Sequence, residues 1–200
     1  MLILTSNGLS SESIIKNLKP LFENISKAVI VTTASEYKKN DWNIPRLKKE
    51  LEIFDFSVDF FDFDVDNPEQ LFNYDVIEII GGNPFYLLKS MRNSNFNFLI
   101  NRLIIKKILI GISAGSLVLQ KNINLVALYS PELNNKTLLT DYTGMGITSL
   151  EVLPHYSKFL NKYNRFEEIA KEYELNNNCK IIRLNDGQCI IDNKNSFKVI

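Results

Sequence analysis

The 200-residue sequence contains only one histidine and two cysteines, and it has no excess of either charge. Its 23 basic and 23 acidic residues balance, and no long basic block occurs, so the composition argues against nucleic acid as a partner. Cys179 and Cys189 lack the spacing of metal ligands, and no zinc or phosphate motif is present. The sequence therefore predicts no metal and no cofactor, and both cysteines are expected to be reduced thiols.

Long hydrophobic runs are also lacking. The best candidate for a membrane span, residues 96–112, is interrupted by Arg102, Lys106 and Lys107. The first five residues lack the basic lead and the longer apolar core of a signal peptide. These features predict a cytoplasmic protein with no membrane partner. They leave the oligomeric state open.

Hydrophobic periodicity predicts that strands and helices alternate over the first 110 residues. Short apolar or β-branched runs predict strands at residues 2–5, 28–33, 56–64, 76–80 and 107–110. Apolar residues at helical spacing predict helices at residues 11–24, 44–54, 85–92 and 96–105.

The pattern weakens between residues 122 and 148, where we expect loops with short strands. Beyond it the sequence predicts a strand at 149–153 and a helix at 159–173. Strands at 180–184 and 188–191, joined by a turn at 185–187, and a final strand at 197–200 follow. The length favours a single domain over residues 1–200.

This alternation predicts an α/β fold with a mostly parallel sheet and helices on both faces. In such sheets ligands bind beyond the carboxyl ends of the strands. Two glycine-containing turns, at Gly81 and Gly111, directly follow predicted strands. We therefore expect both turns at one edge of the sheet.

The most informative motif is Gly-Ile-Ser-Ala-Gly at residues 111–115. It follows an apolar run and precedes a helical segment, which is the context of a nucleophile elbow. A serine hydroxyl needs a base to take its proton, and His155 is the only imidazole of the chain. The sequence thus predicts Ser113 as nucleophile and His155 as base.

The imidazole also needs a carboxylate on its other nitrogen, and the oxyanion needs N–H donors. Position alone leaves three candidates for the carboxylate: Asp186, Asp141 and Glu151. The N–H of Ala114 and the Gly81-Gly82 turn are candidate oxyanion donors, because glycine lets the backbone approach a ligand closely.

Four segments together resemble the serine peptidases of the aspartyl dipeptidase (peptidase E) and cyanophycinase family. They are Gly-Gly-Asn-Pro-Phe at 81–85, the elbow at 111–115, Pro-His-Tyr at 154–156 and Asn-Asp-Gly at 185–187. The resemblance covers nearly the whole chain. It implies a flavodoxin-like three-layer sandwich, similar to class I glutamine amidotransferases.

The resemblance also implies roles for particular residues. Ser113, His155 and Asp186 would form the triad, and Gly82 and Ala114 the oxyanion hole. The family's dipeptidase has a glutamate where this chain has Asp186.

The implied substrate is a short peptide, with N-terminal aspartyl dipeptides as one candidate. Substrate contacts are expected at Asn83, in the turn after Gly82, and at Arg165, which best matches the family's substrate-binding arginine.

The sequence is also compatible with two other functions. An α/β-hydrolase-type esterase would order its triad as serine, acid, histidine along the chain, which would make Asp141 the acid. A protein of this fold could also bind a metabolite or a partner without catalysis.

Overall fold

Strands alternate with helices along the chain, as the hydrophobic pattern predicts. The computed structural model describes residues 1–193 and 196–200. Its strands are β1 (Leu2–Thr5), β2 (Lys27–Val31), β3 (Ser57–Phe61), β4 (Val76–Ile79), β5 (Ile108–Ile112), β6 (Glu151–Leu153), β7 (Ile181–Arg183), β8 (Cys189–Asp192) and β9 (Phe197–Val199). Its helices are α1 (Glu12–Leu18), α2 (Ile44–Glu52), α3 (Pro84–Asn93), α4 (Phe96–Lys106), α5 (Ala114–Val118), α6 (Asn124–Tyr129), α7 (Tyr156–Leu160) and α8 (Phe166–Asn177).

Within the described residues, seven strands form one sheet in the order β3-β2-β4-β5-β1-β8-β9. The first five strands in this order are parallel. β8 is antiparallel to β1, and β9 is antiparallel to β8. β6 and β7 form a separate parallel pair. The predicted mostly parallel sheet is confirmed.

Helices cover both faces of the sheet, and the sheet separates the core into two apolar clusters. α1 and α2 bury Ile14, Leu47 and Leu51 against one face. The other face is covered by α3, α4, α5, α6 and α8. Burial on both faces explains why the inner parallel strands β2, β4, β5 and β1 are apolar at nearly every position, whereas the edge strand β3 is largely exposed. Within the described residues, no helix combines the length and the hydrophobicity needed to cross a membrane.

The structure corrects two sequence predictions in the second half of the chain. Residues 122–148 contain helix α6 rather than short strands, because Leu125, Val126 and Tyr129 are buried together on one helix face. The helix predicted at residues 159–173 is two helices, since Arg165 has a left-handed backbone (φ 54°) that separates α7 from α8.

Smaller differences concern where elements end. The first helix ends at Leu18 and continues as a 3₁₀ turn, Lys19–Phe22, in which Pro20 cannot donate an α-helical hydrogen bond. β3 ends at Phe61, so the aspartates at 62, 64 and 66 lie in the loop after it.

The carboxyl ends of the central strands lie at one edge. Thr5 of β1 is in register with Ile112 of β5, and Ile79 of β4 with Gly111. The turns after these strands therefore come together, and the candidate site lies there.

Candidate active site

Ser113 lies in the sharp turn between β5 and α5. Its φ of 51° and ψ of −109° are rare for a residue with a side chain, as expected for a nucleophile elbow. The flanking glycines allow this turn. A Cβ on Gly111 would lie 2.7 Å from the Ser116 nitrogen, and one on Gly115 would lie 2.0 Å from the Ile79 carbonyl oxygen. Only glycine fits at either position.

Buried hydrogen bonds fix this turn to the central strand β1. The Ser113 N–H donates to the Thr5 carbonyl at 3.0 Å. The fully buried Ser116 hydroxyl lies 2.6 Å from the Gly111 carbonyl oxygen and accepts the Thr5 N–H at 3.1 Å. The nucleophile candidate is thus held by the core of the sheet.

The structure brings His155 to Ser113. His155 follows β6 and takes a left-handed conformation (φ 56°) immediately before α7. Its Nε2 lies 2.9 Å from Ser113 Oγ, and its Nδ1 lies 2.6 Å from Asp186 Oδ1. A neutral ring that donates from Nδ1 and accepts at Nε2 satisfies both contacts.

The surroundings of His155 favour this neutral form. Burial lowers the pKa of the imidazole, and the charge and hydrogen bond of Asp186 oppose that shift without cancelling it. The positive charges of Lys158 and Lys162 lower it further. At neutral pH, the ring is therefore ready to accept a proton.

Asp186 lies in the turn between β7 and β8, with 42% of its side chain exposed. Burial raises the pKa of its carboxyl, but hydrogen bonds from Ser6 and His155 and the charge of His155 outweigh burial, so the pKa lies below its usual value. Asp186 therefore supplies a negative charge beside the imidazole.

The turn after β4 approaches Ser113 closely. A Cβ on Gly81 would lie 3.1 Å from the Ser113 Cβ. Gly82 has a φ of 144°, and a Cβ there would lie 2.2 Å from the Ala34 carbonyl oxygen, so its conformation requires glycine. Among the described residues, no hydrogen-bond acceptor is found for the N–H of Gly82 or of Ala114. Both donors are free to bind a ligand.

An open cleft of about 510 Å³ connects these groups. Its lining includes Ser113, His155, Asp186 and the Gly81-Gly82 turn. A volume of this size accommodates a small ligand.

The loop before α2 and the start of that helix also line the cleft. Trp42 is 80% exposed there. Two cationic side chains also line the cleft, Arg46 and Lys158. The Arg46 guanidinium is held by the buried carboxylate of Glu50.

Two residues expected to contact substrate do not reach this cleft. The Asn83 side chain caps α3: its Oδ1 accepts the N–H groups of Phe85 and Tyr86, and its amide donates to the Leu133 carbonyl at 2.7 Å. Arg165 is 61% exposed and forms an ion pair with Glu172 at 2.7 Å. Arg165 is also the left-handed residue that precedes α8, and its partner Glu172 lies on that helix.

The alternative acids also lie elsewhere. Asp141 is an exposed loop residue that accepts the Thr143 N–H and pairs with Arg92. Glu151 begins β6, and burial raises the pKa of its carboxyl. The His155 ring makes its carboxylate contact with Asp186.

The segment after β1 contributes to the site, although no predicted site residue lies in it. The Ser6 hydroxyl donates to Asp186 Oδ1 at 2.6 Å, and the Asn7 side chain accepts the Gly187 N–H at 2.9 Å. The signal was available: a Ser-Asn-Gly sequence follows a predicted strand at the edge where ligands bind.

Comparison with known proteins identifies relatives with the same overall structure. A candidate peptidase E from Listeria monocytogenes EGD-e superposes with a TM-score of 0.74 at 23% identity, covering 100% of this chain and 96% of that one. A peptidase from an acI-B1 Actinobacterium gives a TM-score of 0.72 at 19% identity, covering 100% and 86%. Both comparisons support the flavodoxin-like fold.

Sequence comparison gives two uncharacterised peptidases. The Listeria monocytogenes protein Lmo0363 is 26% identical over 78% of this chain and 79% of its own length. PM1590 of Pasteurella multocida is 33% identical, and the match spans 46% of this chain and 44% of that protein. The model of Peptidase family S51 matches residues 2–200, so the chain belongs to that family.

Proposed function

We propose that this protein is a serine peptidase that hydrolyses short peptides, with Ser113 as nucleophile, His155 as base and Asp186 as the orienting acid. One observation carries the proposal: the only imidazole of the chain lies within hydrogen-bond distance of both partners, 2.9 Å from the serine oxygen and 2.6 Å from the carboxylate. Membership of family S51 supports the same reaction class.

In the proposed mechanism, Ser113 Oγ attacks the carbonyl carbon of the peptide bond while His155 Nε2 takes its proton. Negative charge then develops on the carbonyl oxygen, and the N–H groups of Gly82 and Ala114 stabilise it. The imidazolium, stabilised by Asp186, gives the proton to the leaving amine. Water then releases the acyl group with the roles reversed.

The cationic side chains of the cleft support a substrate with a carboxylate. Arg46 and Lys158 are the cationic side chains that line it, and a guanidinium can bind a carboxylate through two hydrogen bonds. Arg46 keeps its direction through Glu50. We therefore propose that these two residues, rather than Asn83 and Arg165, bind the charged groups of a dipeptide such as one with N-terminal aspartate.

A panel of dipeptides tests the substrate. Asp-X should be cleaved faster than the matched uncharged Asn-X, and Lys158→Met should raise KM for Asp-X more than for Asn-X. Equal rates for Asp-X and Asn-X would refute the preference for an acidic residue. The role of the serine is tested separately, because Ser113→Ala should lower kcat by about 10⁴-fold or more without changing the far-UV circular dichroism spectrum.

A fluorophosphonate probe separates the enzyme from a binding protein of the same fold. Labelling should occur at Ser113 and be lost in His155→Gln. A protein that is not labelled at any pH between 6 and 9, yet binds dipeptides, would be a binding module.

A further inference from the structure

Ser6 lies at the centre of the proposed triad although no motif includes it. It follows β1, the strand beside β5, and its side chain is fully buried. Its backbone N–H donates to the Gln188 carbonyl at 3.3 Å, which ties it to the chain segment that carries Asp186. A buried hydroxyl needs hydrogen-bond partners, and those of Ser6 are both triad residues.

The Ser6 hydroxyl bridges the acid and the base. It donates to Asp186 Oδ1 at 2.6 Å and accepts the backbone N–H of His155 at 2.8 Å. The same Oδ1 accepts the His155 ring Nδ1–H at 2.6 Å. Asp186 Oδ1 thus accepts two hydrogen bonds. One of its two donors, the Ser6 hydroxyl, also holds the backbone of His155.

This bridge joins two residues that lie outside the strands of the central sheet. His155 has a left-handed backbone outside the central sheet, and Asp186 is 42% exposed in a turn. Without a second donor, an exposed carboxylate can rotate away from the imidazole toward water.

We propose that Ser6 is a positioning residue of the peptidase reaction, which holds the Asp186 carboxylate against the His155 ring. The inference rests on the proposed function. Burial raises the pKa of Asp186, and the Ser6 hydrogen bond is the largest of the effects that lower it. Ser6 therefore also helps to keep the carboxylate charged.

Ser6→Ala removes the bridge without adding volume. Burial lowers the pKa of His155, and a carboxylate that is free to rotate opposes this effect less well. The pKa of His155 should therefore fall by about 0.5 or more. The fraction of the Nδ1–H tautomer should also fall. Labelling of Ser113 by a fluorophosphonate should slow by about tenfold, which is the cost of losing one hydrogen bond to a charged group.

The titration of His155 can be followed by ¹⁵N and ¹H NMR on tag-free protein, since the chain has no other histidine. This measurement needs no substrate. If the protein fails to cleave the dipeptides, the proposed function fails while the His155 titration still tests the role of Ser6.

Ser11→Ala is the matched control. The Ser11 hydroxyl donates to the Gly187 carbonyl at 3.0 Å, so it holds the same turn without touching the carboxylate. It should leave the His155 titration unchanged, whereas Asp186→Asn should move it in the same direction as Ser6→Ala and further. An unchanged or raised His155 pKa in Ser6→Ala, or an equal response in Ser11→Ala, would overturn the positioning role.

Discussion

Glu78 provides a test of the core beneath the candidate site. It lies in β4 between Ile30 and Ile110 of the neighbouring strands and is completely buried. No hydrogen-bond partner is found among the described residues for either of its carboxylate oxygens. Burial raises its pKa well above the usual value, and the charge of Glu50 adds to that effect while Arg46 opposes it. We predict that Glu78→Met makes the protein more stable at neutral pH.

The magnitude follows from linkage. Folded Glu78 keeps its proton to a higher pH than the unfolded chain, so its contribution to stability is complete below the unfolded pKa and declines as the pH rises. Above an unfolded pKa of about 4.3, each pH unit lowers the free energy of unfolding by about 1.4 kcal/mol until the folded pKa is reached. The loss therefore grows with each pH unit between the unfolded and the folded pKa of Glu78.

Urea unfolding of native protein and Glu78→Met at pH 4, 5, 6 and 7 measures this loss. Circular dichroism is the better probe, since the single tryptophan, Trp42, is 80% exposed and its fluorescence should change little. The difference between the two proteins should widen steadily with pH. Taking the difference cancels the contributions of other titrating groups, such as Asp186.

Glu78→Gln separates charge from polarity. Relative to Glu78→Met, it should give a difference that does not change with pH, because the amide does not titrate, although it leaves a buried polar group without a partner. Parallel stability profiles for native protein and Glu78→Met would show that the carboxyl titrates normally, and the reasoning would then be wrong.

Three further predictions concern the site and its support. Because burial lowers the pKa of His155, kcat/KM should decrease only when the pH falls below ~6.5. Lys158→Glu should raise the midpoint pH of this decrease. A midpoint above pH 7 in the native protein would contradict the prediction. Gly82→Ala should abolish labelling of Ser113 and destabilise the fold by about 2 kcal/mol or more in thermal unfolding. Gly146→Ala, also at positive φ but in open space, should keep the labelling. Arg183→Met removes ion pairs to two glutamates of α8 and should cost about 1–2 kcal/mol in urea unfolding, less at high salt, with labelling unchanged.

Much of the fold could be predicted because the inner parallel strands are buried on both faces. Continuous apolar runs such as residues 107–110 indicate strands in parallel sheets, and the turns after them indicate the functional edge. One motif and one scarce residue predicted Ser113 and His155 as a pair. Asp186 was implied only by the family resemblance, because position alone left Asp141 and Glu151 as alternatives. The catalytic roles of the triad residues stay predictions.

Other features depend on tertiary contacts that no local pattern encodes. Ile-Glu-Ile at 77–79 is typical of a strand whether or not Glu78 faces water. Its burial depends on the tertiary structure, in which α1 and α2 cover one face of the sheet. The break at Arg165 is similar. Phe159 of α7 and Phe166 of α8 both pack in one aromatic cluster with Tyr129. The chain forms these contacts with two helices instead of one.

The order of strands accounts for the arrangement of the site. β4, β5, β1 and β8 are adjacent, and the Gly82 turn, Ser113, Ser6 and Asp186 lie at their ends in that same order. Adjacent strands are about 4.8 Å apart, so successive groups are within reach of a small substrate or of each other. Asp186 precedes its strand, and it can lie at this edge because β8 is antiparallel to β1.

His155 alone comes from outside the central sheet, after strand β6 of the separate β6–β7 pair. Its position relative to Ser113 therefore cannot come from strand register. The bond from its N–H to Ser6 links it directly to the end of β1, and the Tyr156 N–H donates to the Leu184 carbonyl, which links it to the chain leading to Asp186. His155, which the sheet does not position, is thus held by the end of β1 and by the chain leading to Asp186. For this reason the buried Ser6 at the end of β1 matters to the proposed chemistry.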